Sequence, residues 1–116
     1  MPYTEPYDAI DEKTRDISRA ITSLKEEIEA VNWYNQRVNT TSDPELKAIM
    51  AHNRDEEIEH AAMTLEWLRR NMDVWDEELR TYLFTSGSIT ALEDGAESQE
   101  AGGQHSASLG IGNLKK

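Results

Sequence analysis

The sequence predicts an all-α protein: an antiparallel two-helix hairpin, a short third helix, and a C-terminal tail that stays disordered. Three observations predict it. Apolar residues recur at spacings of three, four and seven through residues 9–71. Residues 7–43 contain neither glycine nor proline, and Pro44 falls where one helix should give way to the next. All six glycines lie between 87 and 112, where the composition turns small and polar.

The elements follow in order. Residues 1–8 hold two of the three prolines and read as an extended arm. Ile10, Ile17, Ile21, Leu24, Ile28, Val31 and Val38 then mark one face of a helix over about 9–38. Such a helix is roughly 45 Å long at ~1.5 Å per residue. The run Asn39 to Pro44 is the break. Ser42 is positioned to cap a second helix, with Pro44 in its first turn and Glu45 completing a capping box. This helix spans about 43–71, with Leu46, Ile49, Met50, Ala61, Thr64, Trp67 and Leu68 on its apolar face. Asp73 is expected to cap a third helix over 73–84, whose apolar side is Val74, Trp75, Leu79, Tyr82 and Leu83. The helical domain closes at residue 92. Residues 93–108 have no bulky apolar side chain and read as a flexible linker. Residues 109–116 form a separate terminal segment in which Leu109, Ile111 and Leu114 restore apolar character.

Composition removes several function classes. A chain of 116 residues holds one domain at most. No run of eighteen apolar residues exists, so no transmembrane helix is expected. The first residues lack the basic start and apolar core of a signal peptide. Cysteine is absent, which excludes disulfides and points to a cytoplasmic setting. A formal net charge of −11 argues against nucleic acid and anionic membrane, and for the attraction of cations.

The chemistry concentrates in the second helix. Glu57 and His60 are three residues apart, so both side chains stand on one helix face. There a carboxylate and an imidazole can reach one metal ion. Glu-x-x-His is the half-motif that di-iron carboxylate bundles use twice, with one more Glu from each of two other helices. Here it occurs once. Both residues, with Asn53, interrupt the stripe between Met50 and Thr64. A charge buried there unpaired costs several kcal/mol, which a bound metal offsets. The plain alternative is an exposed helix position or an internal ion pair. Glu27 interrupts the stripe of Ala20, Leu24, Val31 and Tyr34 in the same way, and is either a ligand or a charge at the stripe's edge. Glu26 and Glu29 align with Trp33 and fit either a weaker outer cation site or a solvated acidic face. His52 is read as a surface histidine.

Two long helices and a short one cannot enclose a core, so each hairpin keeps an apolar flank for a partner. A symmetric dimer makes a four-helix bundle. It supplies Glu27 twice and the Glu57/His60 pair twice, the full di-iron ligand set.

The run Glu26-Glu27-Ile28-Glu29-Ala30-Val31-Asn32-Trp33-Tyr34-Asn35-Gln36-Arg37 resembles the first helix of the encapsulated ferritins. The run from His52 to Arg70 resembles the second helix and Leu79 to Thr85 the third, so the likeness covers about residues 12–92. The segment Ser108 to Lys115 looks like the targeting peptide that docks cargo in encapsulin nanocompartments. Asn32 and Asn113 depart from the commoner Asp and Ser. The resemblance implies a ferritin-like bundle and a ferroxidase that oxidises Fe(II) with oxygen. It implies two irons per dimer interface, held by Glu27, Glu57 and His60 from two chains, with Tyr34 close to the catalytic centre. It implies an outer site at Glu26, Glu29 and Trp33 where metal enters. It also implies a homodecameric ring of five dimers inside an encapsulin shell that stores the mineral, with residues 109–116 as the address.

The residue types suit that chemistry, since carboxylates and imidazole bind Fe(II) and the harder Fe(III). No proton-transfer dyad or nucleophile is evident. Two other classes fit the same residues. One is a non-enzymatic divalent-metal-binding oligomer, and the other a structural cargo protein.

Overall fold

The computed structural model describes residues 3–102, with side chains through residue 95. These residues form a short 3-10 turn, Tyr7–Ala9, and four helices: α1 (Glu12–Thr40), α2 (Pro44–Asn71), α3 (Asp73–Tyr82) and α4 (Ile89–Gly102). There is no strand among the described residues. The all-α reading therefore holds. Where one domain was expected, the chain divides into two compact units, Met1–Leu68 and Arg69–Lys116.

In the first unit α1 begins three residues later than its apolar pattern suggested, because Asp11 caps it. The Asp11 carboxylate accepts from the Thr14 backbone N–H at 2.8 Å, satisfying an otherwise orphaned donor. Thr14 also holds the Asp11 carboxyl below its ordinary value, through hydrogen bonds from side chain and backbone. The arm before α1 is pinned rather than extended. The Arg15 guanidinium lies 3.7 Å from the Tyr7 ring centre and donates to the Tyr7 carbonyl at 2.7 Å. At the hairpin the cap is Asp43, not Ser42. Pro44 is the first helical residue, so the residue before it takes the cap position. Asp43 accepts from the Leu46 backbone N–H at 3.1 Å, and the expected capping box with Glu45 does not form.

Three cross-helix contacts fix α1 and α2 as antiparallel neighbours. Arg54 donates to Asn35 at 3.0 Å. The Thr64 hydroxyl meets Glu27 at 3.2 Å. Lys13 Nζ stands 5.8 Å from the Trp67 ring centre. Partner numbers rise along α2 as they fall along α1. Half-buried positions on α1 include Ala20, Leu24, Glu27, Val31, Tyr34 and Val38; on α2 they include Met50, Asn53, Glu57, His60, Ala61 and Thr64. Leu46 and Ile49, expected on the inner face of α2, are exposed instead.

In the second unit α3 starts at Asp73, and the cap position is Met72, whose side chain supplies no capping bond. Asp73 is thus the first helical residue rather than the cap. Asp76 receives Arg69 from the preceding segment and Arg80 at 2.9 Å from the next turn. The helix stops at Tyr82, two residues earlier than expected, because Leu83 is extended and Phe84 takes a φ of 61°. Gly87 turns the chain with a φ of 86°, a conformation glycine adopts without strain. Ser88 then accepts from Ala91 N–H at 3.3 Å and starts α4. This helix corrects the expected linker over 93–108: residues 93–102 are helical. Ala91, Leu92, Glu93, Ala96, Glu97 and Ala101 are strong helix formers. The remainder of that linker and the segment 109–116 lie outside the described residues.

Candidate metal centre

The centre is built on the inner stripes of the hairpin. Glu57 and His60, one turn apart on α2, are brought together: Glu57 Oε1 lies 3.6 Å from His60 Nδ1. That is less than the sum of two first-row metal–ligand bonds of roughly 2.1 Å each, so one cation can engage both without a change of backbone. Their side chains are 28% and 44% exposed. Each is neither fully solvated nor sealed, as suits a group that must be reached.

Glu27 comes from the opposite helix. It is half-buried, and its Oε1 faces the Thr64 hydroxyl at 3.2 Å. The same hydroxyl lies 3.1 Å from the His60 carbonyl. The α1 carboxylate therefore reaches the His60–Thr64 turn of α2, the turn that follows Glu57 and His60. The polar partner of Glu27 is a hydroxyl and that of Glu57 an imidazole, where an ordinary buried ion pair would have Lys or Arg, and His60 faces the carboxylates of Glu57 and Glu56.

Tyr34, two turns beyond Glu27, is half-buried, with the Arg37 guanidinium 5.4 Å from its ring centre. Glu26, Glu29 and Trp33 lie on the exposed side of α1, with Trp33 48% exposed. The hairpin thus separates the two expected groups: Glu27 and Tyr34 face inward, Glu26, Glu29 and Trp33 outward.

Two further residues contact these helices' polar groups nearby. Glu56 stands between two histidines, with His52 Nε2 and His60 Nε2 each 3.9 Å from one of its oxygens. The four-residue spacing of His52, Glu56 and His60 is visible in the sequence, but Glu57 is the carboxylate that breaks the apolar stripe there. Arg54, next to Asp55 at 3.0 Å, bridges to Asn35 and ties the helices together near the centre.

Among the described residues, no three His, Cys, Asp or Glu side chains of a single chain are close enough to hold a metal ion.

The family model described as EncFtn-like matches residues 2–86. The chain belongs to the EncFtn-like family. The encapsulated ferritin-like protein of Rhodospirillum rubrum is 57% identical, over 96% of this chain and 86% of that one. The encapsulin nanocompartment cargo protein EncC of Myxococcus xanthus is 35% identical, over 60% of this chain and 57% of its own length. The crystal structure of protein ne0167 from Nitrosomonas europaea superposes with a TM-score of 0.74 at 60% identity, covering 77% of this chain and 99% of that chain. The EncFtn-like assignment carries the helical fold with it. It also places the chain among relatives named for enclosure in a compartment. No helix among the described residues is long and apolar enough to cross a membrane.

Proposed function

We propose that this protein is a ferroxidase that oxidises Fe(II) to Fe(III) with oxygen at a two-iron site shared between two copies of the chain. One observation carries the reading. Glu27, Glu57 and His60 interrupt the inner stripes of the hairpin on neighbouring turns, and Glu57 and His60 already stand 3.6 Å apart. Three donors from one chain do not make a site. A second hairpin, related by a two-fold axis, doubles them to four carboxylates and two imidazoles, the donor set of di-iron carboxylate bundles.

Each residue then has a task. The carboxylates of Glu27 and Glu57 screen the repulsion between two Fe(II) ions, and their hard oxygens favour the Fe(III) product. His60 supplies a neutral nitrogen that leaves the net charge of the centre near balance. The two ions give one electron each to oxygen, so pairing them matches the electron count of a two-electron reduction. Tyr34 lies on the same inner stripe and belongs to the surroundings of the centre. Glu26, Glu29 and Trp33 form an outer site that gathers cations from solvent. The oxidised iron leaves for mineral storage in an encapsulin shell, to which residues 109–116 direct the protein, in the cytoplasm. The pair of irons per interface, the dimer and the decameric ring belong to the same reading.

Oxygen consumption on addition of Fe(II) tests it. The native protein is expected to take up oxygen well above buffer alone, and Glu57→Ala and His60→Ala to fall to the buffer rate with helical content unchanged. Each substitution removes two ligands per dimer. Native rates in both variants would overturn the assignment. A redox-inert metal staple predicts no oxygen uptake even in the native protein.

A further inference from the structure

We propose that Thr64 is a positioning residue for this metal centre, its hydroxyl setting the Glu27 carboxylate of α1 in register with Glu57 and His60 of α2. The inference rests on the ferroxidase reading and extends it to a residue that does not touch the metal.

Thr64 is four residues beyond His60 and seven beyond Glu57, so it continues their stripe. It is partly buried, and its Oγ1 has two acceptors: the His60 carbonyl at 3.1 Å and Glu27 Oε1 at 3.2 Å. The first is the ordinary back-bond of a helical Thr to the residue four before it. The second is not ordinary, because it crosses to another helix and ends on a carboxylate. A hydroxyl has one proton to share between the two. The carbonyl fixes where the oxygen stands, β-branching restricts χ1, and the charged carboxylate is the stronger acceptor.

The consequence concerns Glu27. A free glutamate has three side-chain torsions to order before it can bind a cation. Tethering Oε1 to a fixed hydroxyl removes much of that freedom before the cation arrives. It also reports the position of α2 directly to the ligand on α1, because the same hydroxyl is bonded to the His60 carbonyl. Groups that hydrogen-bond a ligating carboxylate commonly change metal affinity by roughly 10–100-fold when removed. The sequence alone classed Thr64 as one more member of the α2 face.

The test is anaerobic titration of Fe(II) into the full-length protein, followed by calorimetry, with Thr64→Val, Thr64→Ser and Glu57→Ala beside the native chain. Valine keeps the branched shape and loses the proton; serine keeps the proton and loses the branch. The expected result is Fe(II) binding weakened roughly 10–100-fold in Thr64→Val and largely restored in Thr64→Ser. Should Thr64→Val lose its helical signal, Thr64→Ala removes the same hydroxyl with a better helix former and takes its place. Native affinity in Thr64→Val, with binding lost in Glu57→Ala, overturns the positioning role and leaves the metal centre standing. Equal weakening in Thr64→Val and Thr64→Ser overturns it too, since shape rather than the hydroxyl would then matter. Native affinity in all three variants removes the metal centre and this proposal with it.

Discussion

Glu57 and His60 stand one helical turn apart where a packed helix would place Leu or Ile, and the hairpin leaves them close to each other. The anomaly was legible because an inner stripe is periodic, and a carboxylate breaks the period visibly. The surroundings were less legible. Thr64, Arg54 and Glu56 fit the helix pattern without violating it, so their roles emerge only from distances to Glu27, Asn35 and the two histidines. The outer carboxylates make a prediction at this scale. Glu26 and Glu29 are exposed, and exposed charges attract cations over distance without fixing them. Glu29→Ala is expected to lower kcat/KM for iron by up to about tenfold, while kcat at saturating iron stays near native. Stopped-flow absorbance over a range of Fe(II) concentrations separates the two. Complete loss of oxidation would place Glu29 in the centre itself.

At the scale of the helices, periodicity located α1, α2 and α3, and local capping decided their ends. Asp11 and Asp43 set the starts of α1 and α2 through bonds to Thr14 and Leu46. The sequence offers Ser42 and Asp43 side by side, and only the placement of Pro44 at the first helical position selects between them. The fourth helix has no counterpart among the three expected from the sequence, for a different reason. Residues 93–102 lack the apolar stripe that marks a packed helix, yet their alanines and glutamates favour helix without one. A cap prediction follows. Asp43→Ala removes the acceptor for the Leu46 N–H and is expected to destabilise the protein by about 1 kcal/mol. Thermal denaturation followed by far-UV circular dichroism reads this, and Ser42→Ala provides the contrast with a change well below that. A larger loss in Ser42→Ala would return the cap to Ser42.

On the scale of the whole molecule, little apolar surface is buried among the described residues. Leu68 is the one fully buried apolar side chain among the described residues, while Ile28, Ile58 and Met63 of the hairpin are 55%, 49% and 58% exposed. At roughly 25 cal/mol per Å², covering such side chains with a second copy is a substantial driving force. The sequence leads to the expectation of association by two routes, too few helices for a core and a single copy of the Glu-x-x-His half-motif. The proposed targeting role of residues 109–116 belongs to the same scale. Leu109, Ile111 and Leu114 would bury only a few kcal/mol, less the cost of ordering, so docking through them would depend on many copies acting together. Deleting residues 109–116 is expected to abolish loading into a co-expressed encapsulin shell and to leave Fe(II) oxidation at the native rate. Normal loading of the truncated chain would remove the targeting role.

The proposal that two chains share one pair of irons is tested by anomalous diffraction at the iron edge from crystals soaked anaerobically in Fe(II). Two strong peaks are expected between neighbouring chains, each within bonding distance of Glu27, Glu57 or His60, with both chains contributing. Peaks confined to Glu26, Glu29 and Trp33, or ligated by one chain alone, would contradict it.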